Sequence, residues 1–73
     1  MPNTIAAERK RLGLSQEELG AKIGRSRAAI GRWENNPLII SAEDIQKLVD
    51  LFGCSSDYLL GLTDERTPYA KTA

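Results

Sequence analysis

Apolar residues in this chain recur at helical intervals, and small polar residues and glycines cut the pattern into short blocks. Ile45, Leu48 and Phe52 fall at i, i+3 and i+7, with Val49 and Leu51 beside them, which turns one face of a helix toward a core. Leu12, Leu14, Leu19, Ile23, Ile30 and Trp33 supply apolar partners for that face. Gly13, Gly24 and Gly53 each follow a block as helix-ending residues. Ser15, Ser26, Ser41 and either Ser55 or Ser56 precede one as N-caps. Ser15 with Glu18 has the spacing of a capping box, and Asp44 supports Ser41 in the same way. The expected elements are a first helix from about Thr4 to Leu12, capped by Asn3 or Thr4, and a second from Gln16 to about Ile23. A third follows from about Arg27 to Asn35, a fourth from Ser41 to Gly53, and a short fifth from about Asp57 to Leu60. Pro37 cannot continue a helix, so residues 36–40 are expected as a loop. Residues 63–73 are polar, contain Pro68 and are expected as a flexible tail or linker. The pattern therefore describes one all-α domain of five helices over residues 1–62.

Composition narrows what such a domain can do. At 73 residues it holds a single small core, so caps and packing matter to its stability. No apolar run approaches the roughly 18 residues of a membrane span, and residues 1–4 lack a basic-then-apolar leader, so a cytoplasmic protein is expected. A single cysteine, Cys54, and no histidine argue against a zinc site and against an internal disulfide. Cys54 is expected as a small buried apolar residue. Catalysis finds no support: the acidic residues read as caps and surface charges, and no glycine-rich phosphate loop occurs. No cofactor is expected. The net charge is zero but uneven: residues 1–33 hold seven basic residues against three acidic, and residues 34–73 hold three against seven. One basic face suits phosphates and leaves an acidic face for something else.

The span 16–34 carries the functional signal. Two short helices joined by a three- or four-residue turn cross steeply. Such a crossing needs a small residue in the first helix where the second presses on it, and Gly20 is there. It needs a helix end that accepts a left-handed backbone, supplied by Gly24. It also needs apolar anchors on both inner faces, supplied by Leu19 and Ile23 on one helix and by Ile30 and Trp33 on the other. With Ile30 and Trp33 inward, the second helix leaves Arg27, Ala28, Gly31 and Arg32 mostly outside. Small residues let a helix sit deep in a major groove, and arginine presents two donors that match guanine O6 and N7.

Residues 11–19, Gly24-Arg25-Ser26, residues 30–34 and residues 56–61 together resemble the Cro/C1-type helix-turn-helix family of phage and bacterial repressors, over about residues 5–62. The resemblance implies a five-helix, lambda-repressor-like DNA-binding domain. It implies that Arg27, Ala28 and Arg32 read base edges. Gln16 would hold a phosphate at a helix N-terminus, with Arg25, Ser26, Asn35 and Asn36 as further phosphate contacts. Arg9 would pair with Glu34 and brace the recognition helix against the first helix. Cys54, Ser56 and Tyr58 match the dimer contact of short members. Departures are Gly20, where the family usually has alanine, and Gly31, within the recognition helix. Asn36 stands where glycine is common and would serve as a left-handed cap.

Function then divides two ways. A sequence-specific repressor would bind a palindromic operator on double-stranded DNA as a homodimer, with half-sites about 34–36 Å apart. The alternative is a protein-interaction or antitoxin-type module in which DNA binding is secondary. The neutral net charge favours it, as does the apolar run of Leu38, Ile39 and Ile40, which either folds onto the core or presents a surface to a protein partner.

Overall fold

The structure, a computed structural model, describes residues 4–66 and is all-helical over them. The elements are α1 (Thr4–Arg11), α2 (Gln16–Ile23), α3 (Arg27–Asn35), a 3₁₀ turn (Pro37–Ile39), α4 (Ala42–Phe52) and α5 (Ser56–Leu59). Asn3, one of the two expected caps of α1, lies outside the described residues, and Thr4 is already helical; its hydroxyl donates to the Leu59 carbonyl at 2.8 Å. No helix among the described residues is long and apolar enough to cross a membrane.

Local chemistry explains where the helices begin and end. Ser15, Ser26, Ser41 and Ser55 are the N-caps of α2, α3, α4 and α5, and each hydroxyl accepts a backbone N–H three residues on. Each such cap contributes about 1 kcal/mol. The Ser15 box is complete, with the Glu18 carboxylate returning to the Ser15 N–H at 2.8 Å. Gly24 and Gly53 close α2 and α4 at φ of 77° and 68°, where a side chain would be strained.

The α2–α3 pair is the most closely packed. α1 leans on α3 and α5, while α4 packs against α2 and α5. The core they enclose contains Leu19, Ile23, Ile30 and Trp33 from the expected set, with Leu48 and Phe52 from α4. Ile5, Ala29, Ile40, Cys54 and Leu59 complete it. Two expectations fail here. Leu12 is 37% exposed, because α1 stops at Arg11 and Leu12 falls in the turn leading to Gly13. The run at Leu38, Ile39 and Ile40 is not one unit: Ile40 enters the core, while Leu38 is 72% and Ile39 53% exposed on the 3₁₀ turn.

At the crossing of α2 and α3, backbone meets backbone beside the packed Leu19, Ile23, Ile30 and Trp33. A Cβ on Gly20 would collide with the carbonyl of Arg25 and press on Ser26. The turn has closed into the space that the family's usual alanine would fill, and the Arg25 N–H donates back to the Gly20 carbonyl at 2.8 Å.

Of the segment expected as a tail, residues 67–73 lie outside the described residues. Residues 63–66 return to the domain: the Ser55 N–H donates to the Arg66 carbonyl at 2.9 Å. The Arg66 guanidinium grips both oxygens of Glu8 at 2.8 Å each. Glu8 is buried, and it also receives Arg11 at 2.9 Å and the Tyr58 hydroxyl at 3.4 Å. Arg11 and Arg66 both donate to the Phe52 carbonyl, at the C-terminal end of α4. One carboxylate thus ties α1, α4, α5 and the segment after α5 together.

Two predictions follow from this packing. Gly20→Ala gains up to about 1 kcal/mol of helix propensity but must displace a backbone carbonyl, an overpacking cost of about 1–3 kcal/mol; urea denaturation should show a net loss. Hydrogen bonding from Arg66 holds the Glu8 carboxyl below its ordinary value of 4.5, with burial opposing it. A depressed folded pKa stabilises above the ordinary value, so stability should decline as pH drops below 4.5 and through the folded value. Glu8→Gln should be less stable at neutral pH and show a flatter acid limb in thermal melts followed by circular dichroism.

Candidate nucleic-acid interface

α3 has two faces. Ala29, Ile30 and Trp33 are buried against the core, while Arg27, Ala28 and Arg32 are exposed. Among the described residues, no hydrogen bond or ion pair occupies the guanidinium of Arg27 or Arg32. Nearby arginines differ sharply. Arg9, Arg11 and Arg25 are each paired with a carboxylate.

A hydrogen-bonded chain fixes α3 in place. Arg9 Nε donates to Glu34 Oε2 at 2.7 Å and its Nη2 to Oε1 at 3.4 Å, while Nη1 donates to the Leu14 carbonyl at 2.9 Å. Gln16 Nε2 donates to Glu34 Oε1 at 3.0 Å. Both ends of the ion pair are largely shielded, with 13% of the Arg9 and 12% of the Glu34 side chain exposed. Glu34 therefore holds α1 through Arg9 and the first residue of α2 through Gln16, while Arg9 itself also holds the turn before α2 through the Leu14 carbonyl. Two shallow hollows border this chain. One is lined by Arg9, Ser15, Gln16, Glu17 and Arg27, the other by Gln16, Ser26, Arg27, Ala28 and Gly31. Gln16 and Arg27 belong to both. The result is a surface with an amide, a helix N-terminus and unpaired guanidinium groups, suited to a polyanion that also carries acceptors to be read.

The other expected site residues are distributed as follows. Ser26 is exposed, and its hydroxyl accepts the Ala29 N–H at 3.2 Å. Asn35 ends α3 and is exposed. Asn36 is exposed but not left-handed: its φ is −151°, and its side chain caps the 3₁₀ turn by accepting from the Leu38 N–H at 3.2 Å. Arg25 has a structural partner, since its Nε sits 3.1 and 3.0 Å from the two oxygens of buried Asp44. That pair ties the turn to α4. In sequence Asp44 reads only as support for the Ser41 cap; its N–H donates to the Ser41 hydroxyl, which donates to its carboxylate at 3.1 Å. Lys47 adds to the same seam by donating to the Ile23 carbonyl at 3.4 Å.

Of the three residues expected at a dimer contact, Cys54 cannot touch a partner. It is fully buried, and burial pushes its thiol up from the ordinary value of 9.0. Ser56 is exposed and Tyr58 half-buried with its hydroxyl on Glu8.

These features define a helix-turn-helix domain, and the helix-turn-helix family pattern matches residues 5–59; the chain belongs to that family. It is 38% identical over 60 residues to Repressor protein C2 of Salmonella phage P22, a match covering 82% of this chain and 28% of that protein. The chain thus spans well under half the length of that relative. The fold is also similar to the P22 c2 repressor in its crystal structure with synthetic operator 9T and Tl+. There the TM-score is 0.75 at 35% identity, covering 85% of this chain and 94% of that one.

Removing the guanidinium should expose how much the brace contributes. Arg9→Ala leaves a shielded Glu34 with only the Gln16 amide, for an expected loss of about 2–3 kcal/mol. Arg9→Lys keeps the charge but not the fork of donors and should recover only part of it. Chemical denaturation of the two variants measures both.

Proposed function

We propose that this chain is a sequence-specific, DNA-binding repressor domain that acts in the cytoplasm by binding, with no catalytic step. The observation that carries this is the outer face of α3, where Arg27 and Arg32 stand unpaired while the Arg9–Glu34–Gln16 chain holds the helix rigidly. Arg27, Ala28 and Arg32 read base edges in the major groove. Gln16, Ser26, Asn35 and Asn36 hold phosphates, which fix register but carry no sequence information. Arg25 stands behind them: with its Nε on Asp44, it orients the turn, and only its outer nitrogens face a phosphate. The similarity to a repressor solved on its operator supports this assignment.

The chain binds as a homodimer on a two-fold operator, with half-sites about 34–36 Å apart. Exposed Ser56 and the exposed Leu62 near it make the contact in place of Cys54. A second role has its own observation. Leu38 and Ile39 project from the 3₁₀ turn directly after α3, an apolar surface on a domain without net charge. A protein partner docking there would sit beside the recognition helix and compete with DNA.

Selection of bound duplexes from a random pool tests the proposal. A two-fold consensus is expected, with affinity falling steeply as salt rises. Arg27→Ala and Arg32→Ala should each relax preference at particular positions by about 1–3 kcal/mol. Gln16→Ala should weaken all sequences alike. No enrichment at low salt, with a stoichiometric protein partner recovered instead, would move the assignment to the interaction module.

A further inference from the structure

Two glycines lie inside helices, Gly20 in α2 and Gly31 in α3, and the fold treats them differently. Gly20 is demanded by the backbone packed on it. Gly31 is not: its φ lies outside the left-handed region, and a Cβ there would meet only Gln16 Nε2, at an ordinary contact distance of 3.9 Å. Glycine nevertheless weakens a helix interior relative to alanine. The middle of the recognition helix therefore carries a destabilising residue that no contact among the described residues requires. A face that must stay open to a ligand is one physical reason for a glycine there.

The one neighbour points to that reason. A primary amide nitrogen has two protons, and among the described residues Gln16 Nε2 donates once, to Glu34 Oε1. The remaining proton is in no hydrogen bond among the described residues, and Gln16, Arg27 and Gly31 border a common hollow. A methyl group at position 31 would rest against that nitrogen, and a longer side chain would cover it. We infer that Gly31 is a positioning residue of the interface: its missing side chain keeps the second amide proton of Gln16 open to a phosphate of the bound duplex. This rests on the DNA-binding function proposed above and adds a residue that acts on DNA through Gln16.

The test uses the whole 73-residue chain, a selected duplex and a random-sequence duplex of equal length. Gly31→Ala should melt higher in the absence of DNA, by roughly 4–8 °C, yet bind both duplexes about tenfold more weakly, the worth of one charge-assisted hydrogen bond. Gly31→Leu should bind more weakly still while remaining folded. In a Gln16→Ala background, Gly31→Ala should no longer change affinity, because the group it covers is gone. A more stable Gly31→Ala protein with unchanged affinity overturns the inference, and so does an undiminished loss in the Gln16→Ala background. Failure of the unaltered chain to hold any duplex at low salt overturns the DNA-binding function itself, and the inference with it.

Discussion

The carbonyl of Arg25 lies where a side chain on residue 20 would be, and the rest of the interface depends on that closeness. Because α2 is bare at Gly20, the turn closes tightly and α3 starts at a fixed angle to α2. Ile30 and Trp33 then reach the core, and Arg27, Ala28 and Arg32 are left outside. The contact is backbone on backbone, so no rotamer change can relieve it. It is also more demanding than apolar packing: a core accepts several residues of similar volume, while here even a methyl group requires the Arg25 backbone to shift.

Around that crossing, charge is divided between building the domain and serving its surface. Glu34, Asp44 and Glu8 are the three carboxylates withdrawn from water, and each takes an arginine. Shielded carboxylates left alone would be costly, and arginine meets them with several donors in one plane. Arg9, Arg25, Arg11 and Arg66 are used in this way. Arg27 and Arg32 are in no ion pair among the described residues, and both sit on the outer face of α3. The zero net charge thus conceals a domain whose basic excess near α3 is real, since several acidic residues are spent internally and others lie toward the far end.

A domain this small has little apolar area to spare, and buried Glu8 compensates by joining elements far apart in sequence. Arg66 lies 58 positions from Glu8 and still reaches both of its oxygens. The same guanidinium satisfies the Phe52 carbonyl at the end of α4, a group that would otherwise lack a partner inside the helix. Cys54 lies in the core beside this cluster, where its thiol behaves as a small apolar group.

How much of this was legible without a structure follows from the range of each interaction. The helix limits, the four serine caps and the glycine stops were readable because each involves groups within three or four positions. The span 16–34 was readable because its glycines and apolar anchors must keep fixed spacing. The Arg9–Glu34 pair came only through resemblance to a family. The fates of Glu8, Asp44, Arg25 and Arg66 were not readable at all, since an ion pair across 19 or 58 positions leaves no local pattern. Nor could the sequence divide Leu38 and Ile39 from Ile40. Those outcomes depend on which elements meet in space. The sequence alone therefore determined where the chain turns and which helix faces outward; the tertiary structure decided which charges remain free to meet a ligand, because only proximity across the fold neutralises them.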